Sequence, residues 1–317
     1  MTALSRAETS KRFIALRERP RNAHCAECRA ADTSWVVLDY GVLICVRCAG
    51  AHRGLGTHIS KVRSTQHDSF TSAELDWIES QGNAKSADLY EGALPPTMRR
   101  PEPSACPDVV RRIWLRLKYD ELRFTAGLAT SRLAPHESLT GWLQVKEPGT
   151  LQVLASWRRR FARVRGGALL LVYADEAEDD ESLRAALPLA GADVHVEPNE
   201  PLVLRLRTNP HQAKVDGGSS DGHGRRTLLL RAPTHDEAEG WAWALYQCAH
   251  GAAQRAEREP ELLVLPRPKA KRRSWRGGSI SRRTSAVPVH VVQVAAPGPA
   301  PARDVVEREP QEPVALT

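Results

Sequence analysis

The chain lacks any apolar run near the roughly 18 residues that a membrane-spanning helix requires; its longest, Ala168 to Ala174, has only the length of a strand. The opening residues, Met1-Thr2-Ala3-Leu4-Ser5-Arg6, contain no apolar core of a secretory signal. Both absences argue against an integral membrane protein and against a secreted one. No tandem repeat is visible. Acidic charge is the scarcer sign, with 38 carboxylates against 45 basic side chains and a net charge of +7. The excess is uneven: residues 1–136 carry +5, residues 137–252 carry −3 and residues 253–317 carry +5. Basic ends around an acidic middle suggest an anionic partner, a membrane surface or a nucleic acid, without choosing between them.

Within 317 residues, composition separates three regions, enough chain for two domains and a tail. Residues 8–127 hold a cysteine cluster and helical patterns. There Thr71, Ser72 and Glu74 can cap a helix start. A later stretch from Pro107 to Phe124 repeats Val110, Ile113, Trp114 and Leu117 at helical spacing. Residues 138–251 read as seven short strands between Gly and Pro signals, closed by a helix over 236–249 with Ala238, Trp241, Leu245 and Cys248 on one side. Residues 252–317 are rich in Pro, Arg and Ser, bury too little apolar surface to offset ordering entropy, and are expected to be disordered. The expected class is α+β and multidomain.

Four of the six cysteines form two C-x2-C pairs, Cys25/Cys28 and Cys45/Cys48, separated by 16 residues. Without a secretory signal, thiols at this spacing point to metal rather than disulfides. One tetrahedral Zn2+ held by four thiolates suits them, with a hairpin from Trp35–Leu38 and Gly41–Ile44 turning at Asp39-Tyr40 between the pairs. Four thiolates leave no open coordination position, so the ion is structural and any chemistry must come from side chains around it. The run from Ala49 to Ser64 is dense in His, Arg and small residues. It reads either as a solvated helix face or as a display of reactive groups.

The two C-x2-C pairs, followed by Arg53 and by Gly54-Leu55-Gly56-Thr57-His58-Ile59-Ser60-Lys61-Val62-Arg63-Ser64, resemble the zinc finger of Arf GTPase-activating proteins. Asp68-Ser69-Phe70, Gly82-Asn83, Tyr90-Glu91 and Lys118-Tyr119 follow in the same order. The resemblance implies a zinc-stabilised α/β domain that acts in trans on an Arf-family small GTPase in its GTP form. It casts Arg53 as the catalytic arginine finger, whose fork of donors would stabilise charge developing on the phosphoryl oxygens. Trp35, His58, Lys61, Arg63 and Asp68 match positions expected to face the GTPase or to support the loop. Thr65-Gln66-His67 departs from the apolar residues usual there, so altered packing beneath the catalytic loop or a changed choice of GTPase is expected.

Gly141-Trp142-Leu143, Lys146, Trp157-Arg158-Arg159-Arg160-Phe161 and Glu239-Gly240-Trp241 resemble a pleckstrin-homology domain, a β-barrel closed by a C-terminal helix with Trp241 in its core. Five arginines fall between 158 and 165. Along a strand Arg158 and Arg160 share a face; Lys146, Arg158, Arg160 and Tyr173 resemble the family's phosphoinositide-binding set. The bland alternative is a solvated strand face. The acidic run Asp175–Glu181 is expected in a neighbouring loop. In the tail, eight basic and no acidic residues between Arg267 and Arg283 surround Trp275. This stretch suits anionic lipid, with Ser274, Ser281, Thr284 and Ser285 as candidate phosphorylation sites that would weaken the attraction; nuclear targeting and an inert tail remain open.

Taken together, these features favour a GTPase activator with one structural Zn2+, peripheral on a phosphoinositide-containing membrane and facing the cytoplasm. A non-catalytic Arf-binding adaptor is the alternative. A DNA-binding finger of GATA type is disfavoured by the run from Gly54 to Ser60, so no nucleic-acid partner is expected.

Overall fold

A computed structural model describes residues 3–127, 139–147, 156–178, 182–208 and 227–258. The basic stretch near Trp275 and its four candidate phosphorylation sites lie outside the described residues.

The first domain is organised by strand alternation. Three short antiparallel strands, β1 (Trp35–Val37), β2 (Val42–Ile44) and β3 (Val62–Ser64), pair in the order β2-β1-β3. Successive side chains point to opposite faces. Trp35, Val37, Val42 and Ile44 pack with the four cysteines, whereas Val36 and Leu43 pack with Phe13, Leu16, Phe70, Leu75 and Ile78. The hairpin at Asp39-Tyr40 is closed by Gly41 at φ 62°, where a Cβ would stand 2.6 Å from Gln81. No larger residue fits that turn.

Helix α1 (Arg6–Arg17) is capped by Ser5, and α2 (Val46–Arg53) starts on Cys45 and carries Cys48 in its first turn. The expected helix cap takes the form of a capping box: Thr71 accepts from the Glu74 amide, and Glu74 accepts from the Thr71 amide, opening α3 (Ser72–Tyr90). Gly82 interrupts α3 at φ 64°. Beside it, buried Asn83 bonds the backbone of Arg21, His24 and Leu43, tying three segments together. The apolar repeat after Pro107 forms α4 (Asp108–Leu115), which widens into a π-helical turn over Arg116–Asp120 instead of running evenly to Phe124. The extra residue in that turn places Lys118 and Tyr119 in the interior.

The second domain is one antiparallel sheet of seven strands: β4 (Thr140–Glu147), β5 (Ser156–Arg165), β6 (Leu169–Tyr173), β7 (Leu183–Pro188), β8 (Asp193–Glu197), β9 (Glu200–Arg207) and β10 (Thr227–Arg231). They pair in the order β7-β6-β5-β4-β10-β9-β8. Helix α5 (His235–Arg258) covers the apolar face and continues past residue 251, where composition alone ended the domain. Trp241 is 3% exposed, and its indole lies 3.7 Å from where a Cβ on Gly141 would sit. α5 packs against β8 and β9 and also against α4, so one apolar core runs through both domains.

Candidate functional site

The sulfur atoms of Cys25, Cys28, Cys45 and Cys48 all lie within 4.8 Å of one another, all four residues are buried, and none forms a disulfide. Four sulfurs bound tetrahedrally at about 2.3 Å from one Zn2+ stand roughly 3.8 Å apart, and Cys28 and Cys45 stand at 3.6 Å. The donor set fits one structural zinc ion. Cys45 and Cys48 meet it from the start of α2, where the helix dipole favours thiolate. Arg111, fully buried, donates from Nη1 to Cys48 Sγ at 3.1 Å and further offsets the thiolate charge.

Beneath the knuckle lies a buried ionic network that the sequence did not disclose. Glu27, between the first two cysteines, is 0% exposed. Its carboxylate accepts from Trp114 Nε1 at 2.9 Å, Tyr119 Oη at 2.7 Å and Lys118 Nζ at 3.0 Å. Lys118 also pairs with Glu91 at 2.8 Å. Burial alone would push the Glu27 pKa up; the Lys118 ammonium, His52 and the Tyr119 hydroxyl hold it well below the usual carboxylate range. His52, also buried, stands 3.8 Å from Glu27 and shares a 2.9 Å hydrogen bond with Ser60. The network therefore ties the first knuckle to α4, to its π-helical turn and to Glu91.

Arg53 is the last residue of α2, one position after His52, and is exposed. It stands five positions beyond Cys48 along the helix, a rise of roughly 8 Å. Its guanidinium lies over the Trp35 ring at 4.4 Å and makes no ion pair among the described residues. Ala49, Ala51 and His52 before it are buried, so the arginine is the exposed end of a helix whose preceding residues face the interior.

Residues 10–127 match the ArfGap family model, described for GTPase-activating proteins of Arf, and residues 138–250 match the PH domain model. The chain carries an ArfGap domain followed by a PH domain. A probable ADP-ribosylation factor GTPase-activating protein of Arabidopsis thaliana is 39% identical over 130 residues, 38% of this chain and 38% of the relative. Stromal membrane-associated protein 1 of Homo sapiens is 39% identical over 103 residues, 32% of this chain and 21% of the relative. Arf-GAP with dual PH domain-containing protein 2 of Rattus norvegicus is 34% identical over 155 residues, 49% of this chain and 39% of the relative. The chain thus spans under two fifths of the length of each of these curated relatives.

The other expected GTPase-facing residues of the ArfGap domain divide. Trp35 supports Arg53 on the zinc face of the sheet. Arg63 pairs with Val36 in register and so lies on the opposite face. It bonds Glu74 and the Ser69 carbonyl at 3.0 and 3.1 Å, which fixes the start of α3. Asp68 accepts from the Ser64 amide at 2.6 Å and closes a turn. His58 and Lys61 are exposed, with Lys61 held at its amide and ammonium by Asp39. The departure at Thr65 is satisfied internally: Thr65 is buried, donates to the Ser34 carbonyl at 2.9 Å and accepts from Arg17 at 2.5 Å. A polar peg replaces apolar packing there without leaving an unpaired group.

In the PH domain the four expected lipid ligands do not converge. Val145 stands opposite Arg158 and Leu143 opposite Arg160, so both arginines face the concave side. Lys146 stands opposite Trp157 and Tyr173 opposite Phe161, which places both on the outer side. A lysine one position earlier would have joined the arginines; here that position is Val145, 2% exposed. Lys146 lies 5.9 Å from the Trp157 ring instead. Within the acidic run, Glu176 accepts from Trp142 at 2.5 Å and Glu178 pairs with Arg163.

Proposed function

We propose that the ArfGap domain accelerates GTP hydrolysis by an Arf-family GTPase in its GTP form, with Arg53 as the arginine finger. The observation that supports this most is the state of Arg53: exposed, without an ion pair among the described residues, and anchored at the end of a helix whose other end carries two of the zinc-binding cysteines. An arginine held in an internal salt bridge would have to break it before reaching a nucleotide. One resting over an indole gives up only a weak contact, about 0.5–1 kcal/mol at an exposed site.

In this reading the docked GTPase brings its own nucleotide and magnesium, while this chain supplies charge and rigidity. As the γ-phosphoryl group separates, negative charge spreads over oxygens that the Arg53 fork can bond twice. Zinc holds the knuckles in place, and the Trp35 ring gives the guanidinium a weak resting contact. The PH domain concentrates the activator on anionic membrane, with Arg158 and Arg160 as the headgroup-facing cations and Lys146 and Tyr173 on the other face. No helix among the described residues is long and apolar enough to cross a membrane, in keeping with peripheral attachment.

Single-turnover hydrolysis on several GTP-loaded Arf proteins, with and without phosphoinositide vesicles, tests the reading. Acceleration in solution that rises on vesicles supports it. Binding of GTP-loaded Arf with no acceleration would replace it with the adaptor reading.

A further inference from the structure

We propose that the last helix of the PH domain is a working part of the ArfGap site, with Gln247 and Tyr246 positioning the helix that carries Arg53. This rests on the activator reading for its kinetic consequence, though not for its structural one.

The connection runs through residues 99–106, a segment of the ArfGap domain with two prolines, Pro101 and Pro103, and no regular secondary structure. Such a strap cannot satisfy its own backbone, so its amides must find partners elsewhere. Two find them across the domain boundary. Gln247, 0% exposed, accepts from the Arg99 amide at 2.8 Å and donates to the Arg99 carbonyl at 3.0 Å, as a neighbouring strand would. Tyr246, 2% exposed, accepts from the Glu102 amide at 2.9 Å and donates to the Arg100 carbonyl at 3.2 Å. Both side chains are polar groups buried at an interface. The strap supplies these four hydrogen bonds to them.

The other side of the strap is bolted to the zinc knuckles. Arg47, in the first turn of α2, donates to the carbonyls of Pro103 and Ser104 at 2.9 and 3.1 Å and of Cys106 at 3.3 Å. Arg111 bridges the Glu102 carbonyl, at 2.9 Å, and Cys48 Sγ, at 3.1 Å. Arg100 reaches the Ala26 carbonyl of the first knuckle. A second route bypasses the strap: Glu239 of α5 stands 3.7 Å from both Arg112 and Arg116. The Arg112 stem in turn packs where a Cβ on Gly54 would meet it at 3.6 Å, beside Arg53. Helices α5, α4 and α2 thus form a stack, and loosening α5 frees the segment that clamps α2.

The test uses the full chain with zinc bound. In the wild type, the Arg99 and Glu102 amides should resist hydrogen exchange despite lying in an irregular segment. Gln247→Ala should speed exchange at Arg99 by about tenfold or more, because two net hydrogen bonds are lost and local opening becomes easier. With a lipid-free, GTP-loaded Arf protein, Gln247→Ala should lower kcat several-fold at unchanged KM, since the docking face is untouched while the finger is less well held. Tyr246→Phe, a milder change, should give the same pattern at Glu102 if Gln247→Ala fails to fold. Wild-type exchange at Arg99 and Glu102 as fast as in an open loop would overturn the inference, as would protected amides with kcat unchanged in folded Gln247→Ala. If the wild-type chain speeds no Arf protein at all, the activator reading fails by itself, and the exchange comparison still decides whether α5 holds the strap.

Discussion

Replacing Glu27 by Gln probes the buried network directly. The substitution keeps the shape but removes the charge that answers Lys118, which is 1% exposed. Three donors converge on that carboxylate, from Trp114, Lys118 and Tyr119. An amide can accept from one or two of them, but its NH2 group must then face another donor. Lys118 keeps Glu91 as a partner, so the ammonium is not stranded. Breaking a buried pair on one side typically costs about 3–5 kcal/mol, and the remaining partner places this case near the low end. Urea unfolding of the zinc-loaded chain measures it, and the double variant Glu27→Gln/Lys118→Met should recover part of the loss. Stability within about 0.5 kcal/mol of wild type, the range of ordinary surface substitutions, would refute the reasoning: the network would then be incidental to the fold.

Other outcomes follow from the same geometry. Thr71→Ala, which breaks the capping box, should cost about 1 kcal/mol in urea unfolding. Burial raises the Glu74 pKa, but the Thr71 bonds and Arg63 outweigh it and lower it overall. The contribution of Glu74 is therefore complete above the ordinary carboxylate range and fades as pH falls through the depressed native value. Glu74→Gln should flatten that part of the acid limb of the stability curve, and an unchanged limb would contradict the assignment. In vesicle sedimentation, Arg158→Ala/Arg160→Ala should weaken phosphoinositide-dependent binding more than Lys146→Ala; equal losses would mean that both faces of the hairpin meet the lipid. Chelating zinc should unfold the ArfGap domain, read as loss of its helical circular dichroism, because the four buried cysteines that join the two knuckles then lose their common ligand.

Much of this molecule is legible in the primary structure where the signal is local. The cysteine spacing, the capping box at Thr71 and Glu74, the turn at Asp39-Tyr40 and the helix bearing Trp241 each declare themselves within a few residues. What escapes is set by distant partners. A glutamate between two cysteines reads as solvated, and only the fold brings Trp114, Lys118 and Tyr119 to it from about ninety residues away. β3 has three residues, too few to show alternation, yet it puts Arg63 and Trp35 on opposite faces. Lys146 illustrates a different limit: it lies one residue from the position that would join Arg158, and a shift of one residue along a strand reverses the face. Gln247 carries no signal at all, since its partners are the backbone atoms of another domain.

The arginine-finger assignment turns most directly on Arg53→Lys in a single-turnover hydrolysis assay with a GTP-loaded Arf protein. Lysine keeps the charge but loses the fork, so the stimulated rate should fall by about 10³-fold or more, with zinc content and thermal unfolding unchanged because the contact of Arg53 with Trp35 is a weak one at an exposed site. A variant that stimulates hydrolysis within about tenfold of wild type, a difference of only some 1.4 kcal/mol in the barrier, would contradict the account.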